Sequence, residues 1–430
     1  MLPRARTWPD AMFEKRGSHS RIAPMNGGDG SIVDLDFTLG AIPSGATFAR
    51  AGIGTYMSSS GLLVSAGSGV PRFGYDSAGA ILGLHMEGQQ VNYLCHSEGF
   101  LTSTGTNQWV DGGAGPFIRV STNNTAPDGT ATALRVQVDE LGNSTCISNL
   151  SRTPDADSCG ATFSVWLRRV SGSGSIQLTD NNGTNWTTVA VSTTWTRFAL
   201  PYRATAQQCG VRGVSPFDTF EMWGAQLEDG SGASTYIKTT TAAATRVQDS
   251  LIHNDPAYAL IDPTRCTILL DLTLTNEHGG RVSGGGSETN NFIGIVSFCK
   301  VNSSGYRAEL TYNNGLLTSP RLIALLHNAS AASITGNALV NRTALARSII
   351  AFSIAGSGVN PTRLASIGGA SGTGSTLGSN GPVGSMDHLR INASGYSAGA
   401  DDYPSYILRR VKVWNEAYTQ AQLNALTAAA

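Results

Sequence analysis

The sequence predicts an all-β protein of tandem antiparallel β-sandwiches, and three observations predict it. Only 14% of its 430 residues are charged, and glycine fills 51 positions, against about 25% and about 7% in an ordinary globular chain. Short β-branched runs such as "TALRVQV" (132–138) and "YILRRVKVWN" (406–415) recur between turn clusters such as "APDGT" and "DNNGTN", which is the signature of strands and hairpins. Almost nowhere does an apolar period of 3.6 persist long enough for a helix. A polar surface made of Ser, Thr, Asn and Gly suits sandwiches with weakly charged faces.

The elements follow in order. Residues 1–40 mix charge, Pro and Gly without a period and read as an N-terminal arm or docking segment, with one short alternating strand in "SIVDLDFT" (31–38). Residues 41–94 read as a small β-rich attachment module of strand fragments and glycine turns. Within it, "VPRFGYDSAGAILGLHMEGQQVNYL" (70–94) reads as strand, turn, strand, in which Arg72 pairs with Asp76 or Glu87. Residues 95–248 carry enough strands for one sandwich and residues 249–430 for a second. The chain closes on "TQAQLNALTAA", where Thr419 and Gln422 have capping-box spacing and Leu423 and Leu426 lie three apart, predicting a short helix.

Charge and composition exclude several function classes. A formal charge of −1 with no Lys/Arg cluster lacks the basic footprint that phosphate binding needs, so no nucleic-acid partner is expected. No run of 18 apolar residues is present, and "MLPRARTWPDAMFEKRGSHS" has no apolar segment after its basic residues. Neither membrane insertion nor a secretory signal is expected, and synthesis in a cytoplasm follows. The six cysteines form no CxxC pair and read as structural thiols, with a Cys146–Cys159 bridge left open.

Three passages carry a resemblance. In residues 70–94, Pro71, Arg72, Phe73, Tyr75, Asp76, Gly83, Leu84, Glu87, Asn92 and Leu94 resemble a segment of tailed-bacteriophage virion fibre and spike proteins. "GQQV" stands where that family more often has a short Ala-Arg-Thr run. The next block, through "APDGTATAL" (126–134), "STTWTRFAL" (192–200) and "MWGAQLEDGSGASTYIKT" (222–239), resembles the carbohydrate-binding-module-like jelly roll of the same proteins. The closing "LRRVKVWNEAYTQAQLNALT" is similar to the end of a concanavalin A-like, laminin-G-type lectin sandwich. The resemblance implies a homotrimeric virion component, a tail fibre, tail spike or head fibre, attached to other virion proteins through its N-terminal region and binding host-surface polysaccharide.

Catalytic motifs do not hold up. "GYSAG" (395–399) matches G-x-S-x-G, but "AGADDYP" after Ser397 cannot start the helix that a nucleophile elbow requires. Glycosidase chemistry needs two carboxyl groups across a cleft; Glu221 and Glu228 lie seven apart and face opposite sides in a continuous strand. No enzyme activity is therefore expected, with a polysaccharide depolymerase as the rival reading. The histidines show no HxxxH for zinc. "TDNNGTN" (179–185) has oxygen ligands for Ca²⁺ but not the spacing of an EF-hand, and reads first as a hairpin turn; no cofactor is expected. "GTGSTLG" (372–378) lacks the lysine of a phosphate loop. Sugar rings stack on exposed aromatics, so Trp109, Trp186 and Trp195, beside polar turns, are the candidate glycan platforms. Trp166, Trp223 and Trp414 lie within alternating strands and are expected in cores. The alternative to a glycan-attachment protein is a capsid-decoration or tail-accessory protein that binds no glycan.

Overall fold

The computed structural model describes residues 29–100, 108–150, 161–203, 208–230, 232–262, 264–276, 292–299, 307–313, 321–327, 337–341, 347–356, 362–372, 387–392 and 404–428. The protein is all-β, with antiparallel sheets throughout and one C-terminal α-helix among the described residues.

One sandwich draws on both ends of the chain. Among the described residues its first sheet has eight strands, in the order Ala370–Ser371, Thr362–Ile367, Arg347–Ala355, Arg265–Asn276, Ser405–Trp414, Ile81–Met86 and Arg72–Tyr75, with Val33–Asp36 also paired to Ser405–Trp414. Two of the three early strands share one edge of Ser405–Trp414, Tyr406 to Leu408 pairing with Ile81–Met86 and Arg410 to Val413 with Val33–Asp36. The second sheet has seven described strands and likewise takes an early one, Ala46–Ala49, against Ser250–Asn254. Val33, Leu35, Phe37, Leu84 and Met86 sit in one buried cluster with Leu251, Ile268, Leu270, Ile350, Leu389, Leu408 and Val413. Each fully buried side chain of this kind is worth about 1.5–3 kcal/mol. The expected arm and attachment module therefore supply strands and core to the block expected at 249–430. Pairing between strands more than three hundred residues apart leaves no local mark on the sequence, whereas the alternation of "SIVDLDFT" marks a strand without naming its partner.

The jelly roll is spliced into this sandwich. The chain leaves it along Gln90–Asn92 and returns along Ala244–Arg246, and these two strands pair with each other, Asn92 opposite Ala244 and Gln90 opposite Arg246. Adjacent ends are the usual geometry for an inserted domain. One sheet of the roll orders Thr196–Arg203, Ala161–Ser171, Thr219–Asp229, Ala131–Gln137 and Ile118–Thr125; the other orders Thr187–Val189, Ile176–Thr179, Gly210–Gly213, Ser144–Ser148 and Trp109–Gly113. Phe163, Val165, Leu167, Ile176, Leu178, Val211, Phe220, Met222 and Leu227 fill the space between them.

A hairpin from the host, Gly54–Met57 with Leu63–Ala66, is clipped to the roll: the Leu63 amide donates to the Pro127 carbonyl (3.0 Å) and the Thr55 hydroxyl to the Tyr236 carbonyl (2.7 Å). Leu63 joins Ala126, Ala133, Trp166, Trp223 and Tyr236 in a separate buried cluster on the outward side of the first sheet. At the other end, helix Gln420–Thr427 begins with the full Thr419/Gln422 capping box, and Leu423 packs with Trp414 and Leu426 in a further cluster.

Candidate functional site

The second sheet of the roll presents an open outward face. Alternation along Ile176–Thr179 and Gly210–Gly213 sends Ile176, Leu178 and Val211 to the core and leaves Gln177 and Arg212 outward. Register sets them in a row across the sheet: Thr188 opposite Gln177, Gln177 opposite Arg212, Arg212 opposite Thr145, and Thr145 opposite Gly112. The next row is Thr179, Gly210, Ile147 and Val110. Two glycines carry no side chain into this surface, so its floor is low.

Trp186 stands over one side of that floor. It is half-buried, with the guanidinium carbon of Arg212 at 4.4 Å from its ring centre, a cation–π contact. The turn before it runs close beneath: a Cβ at Gly183, where φ is +73°, would lie 3.2 Å from the Trp186 ring. Arg212 donates through Nε (2.8 Å) and Nη2 to Oε1 of Gln177, whose own Nε2 donates to the Thr188 hydroxyl at 3.1 Å. That last bond fixes which way the Gln177 amide points. Partial burial holds the Arg212 guanidinium below its ordinary value.

The three candidate tryptophans do not converge. Trp109 is only 1% exposed; its Nε1 donates to the Cys95 carbonyl at 3.2 Å and its ring leans on Phe100. Its place at the head of a strand sends the side chain inward, which corrects the expectation of an exposed platform. Trp195 is half-buried on the opposite sheet, under Arg168 at 4.9 Å, with its Nε1 given to the Thr125 carbonyl at 3.0 Å. Trp186 alone of the three faces the open floor. Trp166, Trp223 and Trp414 are buried, the first two beneath the hairpin.

Two oxygens of the "TDNNGTN" turn are used on the turn itself: the amides of Gly183 and Asn185 donate to Thr179 Oγ1 and Asn181 Oδ1, each at 3.0 Å. Among the described residues no group of three or more His, Cys, Asp or Glu is placed to hold a metal ion. Cys146 is a free, buried thiol, pushed up by its burial. Cys159, "GYSAG" and nearly all of "GTGSTLG" lie outside the described residues.

Glu221 and Glu228 correct a second expectation. Both face outward, because Gly224, at φ +65°, bulges the strand and shifts its alternation after Trp223. Glu221 is held between Arg135 (2.6 Å) and Arg168. Glu228 is buried, accepting from the Ser234 amide (2.8 Å) and Gln226 (2.7 Å), and its burial raises its carboxyl above the usual range.

A buried charge network sits where roll and host meet. Arg72 donates to Glu87 (2.6 Å) and to Asp249; Asp249 also accepts from Arg50 (3.0 Å), and Arg246 reaches Glu87 at 3.2 Å. The amide and hydroxyl of Thr235, on the chain returning from the roll, donate to Glu87 at 2.8 and 2.6 Å. Burial alone would raise the Glu87 carboxyl, but Arg246 and Arg72 hold it well below the usual range. His85, 3.8 Å from Glu87, is lowered to about 4 by burial, which outweighs the attraction of Glu87. Arg72 thus pairs with Glu87 as expected; Asp76 instead caps its own turn, accepting from the amides of Ala78 and Ala80. Removing one member of such a network leaves a buried charge uncompensated, at about 3–5 kcal/mol.

No family model and no curated protein matches the chain. Solved structures do. The carbohydrate-binding module CBM40 of the Ruminococcus gnavus IT-sialidase, bound to α2,3-sialyllactose, is similar at 13% identity over 40% of this chain and 86% of its own, with a TM-score of 0.29. A heptameric SAP-like pentraxin from Limulus polyphemus is similar at 13% over 39% and 70%, TM-score 0.28. A carbohydrate esterase from the Shiga toxin-encoding bacteriophage phi24B is similar at 13% over 40% and 80%, TM-score 0.24. None of these likenesses assigns a ligand to this chain.

Proposed function

We propose that this chain is a non-catalytic structural protein of a tailed-phage virion whose jelly roll attaches to host-surface glycan through the face of Trp186, Arg212 and Gln177. The observation that carries the reading is Trp186 itself: a half-exposed indole on an open floor, beside a row of amide, guanidinium and hydroxyl groups. Sugars are held in this way, by a flat apolar surface for the ring and fixed polar groups for its hydroxyls. The virion setting is supported by the resemblance in residues 70–94 and 126–239. A binder suits the carboxylates better than a hydrolase does, since Glu221 is clamped by two arginines and Glu228 is buried, both on the opposite sheet.

A glycan array probed with the full chain and with Trp186→Ala tests the reading. Signal on one group of glycans that drops at least tenfold in the variant is the expected result; no signal at millimolar sugar leaves a decoration or tail-accessory role. Attachment to other virion proteins and a homotrimer belong to the same reading. Light-scattering mass of the purified protein should give three copies, and a monomer would remove that part of it.

A further inference from the structure

We infer that the open face receives an acidic sugar, with the sugar's carboxylate on Arg212; this rests on the glycan-binding reading above and specifies its ligand class. Among the described side chains, four other arginines of the roll are matched with acids: Arg119 with Asp111, Arg135 and Arg168 with Glu221, and Arg169 with Asp218. Arg197, buried over Trp166, lies in the field of Glu228. Arg212 has no carboxylate within 4 Å among the described residues and is held by neutral Gln177 and by the Trp186 ring.

This arrangement is specific. Gln177 spends one oxygen on two of the guanidinium's donors and is itself set by Thr188, so the fork is fixed without being neutralised. Nη1 has no hydrogen-bond partner among the described residues. Among the described residues the rest of the face, Thr188, Ile147, Val110 and two glycines beside the buried Thr145, offers no charge of either sign. A neutral sugar would find only hydroxyl-scale partners there. A carboxylate gains charge-assisted bonds to a guanidinium whose ordering cost has already been met by folding. The same ring that orients Arg212 lies beside the anion position, so acid and ring of one sugar are read by neighbouring groups.

Two matched pairs of probes separate charge from shape: oligogalacturonate with its methyl ester, and sialyllactose with lactose, titrated calorimetrically into the full chain. The acid of at least one pair should bind at least tenfold more tightly than its neutral counterpart, and weaken severalfold between 50 and 300 mM salt. Arg212→Gln should remove that preference, the acid losing at least tenfold more affinity than its neutral counterpart, while Arg212→Lys, which keeps the charge and loses the fork, should retain part of it. Unchanged thermal unfolding of both variants excludes misfolding as the cause. Equal binding of acid and neutral forms, or array binding confined to neutral glycans and dependent on Trp186, overturns the inference and leaves the glycan reading standing. Absence of binding to every probe and every arrayed glycan overturns both.

Discussion

Trp223 and Trp186 both stand on outward faces of the same jelly roll, yet Trp223 is fully buried and Trp186 half exposed. On the first sheet a host hairpin lies over the aromatics: Trp223, Trp166 and Tyr236 pack ring to ring with centres 4.6–5.5 Å apart, beneath Leu63. On that side Arg135 and Arg168 are neutralised by Glu221. On the second sheet no described segment covers Trp186, and Arg212 has a neutral partner. The lesson is that an outward aromatic on a strand is half of an interface. On the proposed reading, whether the other half comes from the same chain decides if the ring serves folding or recognition.

The largest break of this contrast is Trp223→Ala. It empties the space beneath the hairpin and should destabilise the protein by about 3–5 kcal/mol, read as a lowered midpoint in urea. A change below about 1 kcal/mol would show that the hairpin does not depend on the ring.

The next effect is on pH. His85 is buried neutral with a folded value of about 4 against 6.5 unfolded. Between those values the unfolded chain binds the extra proton, so stability rises with pH across that window and is lost as pH falls from 6.5 to 4, by up to about 3 kcal/mol. Glu87 adds a separate loss at lower pH: its folded value is depressed, so its contribution is present above the unfolded value and disappears as pH falls towards the folded one. His85→Gln should flatten the stability profile between pH 6.5 and 4 and leave the steeper fall below it. An unchanged profile would place the titration elsewhere.

Smallest is the effect of Trp186→Ala on folding. With only the Arg212 guanidinium and the Gly183 turn against the ring among the described residues, the substitution should cost less than about 1 kcal/mol in the same denaturation, the ordinary range for a surface site. A cost near that of Trp223→Ala would erase the distinction between the two faces.

Much of this was legible in the sequence, and the limits have physical causes. Alternation and turn residues mark the strands of the roll, the closing strand and the capped helix because those signals are local. The cross-strand pair of Arg72 and Glu87 lies within one hairpin and could be read; Arg50, Arg246 and Asp249 reach the same point from distant segments and could not. Trp109 looked exposed because polar residues flank it, but its strand sends it inward. Glu221 and Glu228 were set on opposite sides by a rule that holds only without a bulge, and Gly224 in "MWGAQLE" was the available warning. Gln177 and Arg212 stand at outward positions of "IQL" and "VRG", but only the register of two strands more than thirty residues apart brings them together.

The paired strands at 90–92 and 244–246 have a mechanical side. For the ligand proposed at Trp186, the covalent path of a pull leaves the roll through two chain segments lying side by side, both ending in the charge network of Arg72, Glu87, Arg246 and Asp249. Tension along that path is divided between two covalent tethers cross-linked by hydrogen bonds, so the roll hangs from the host sandwich by a double cord.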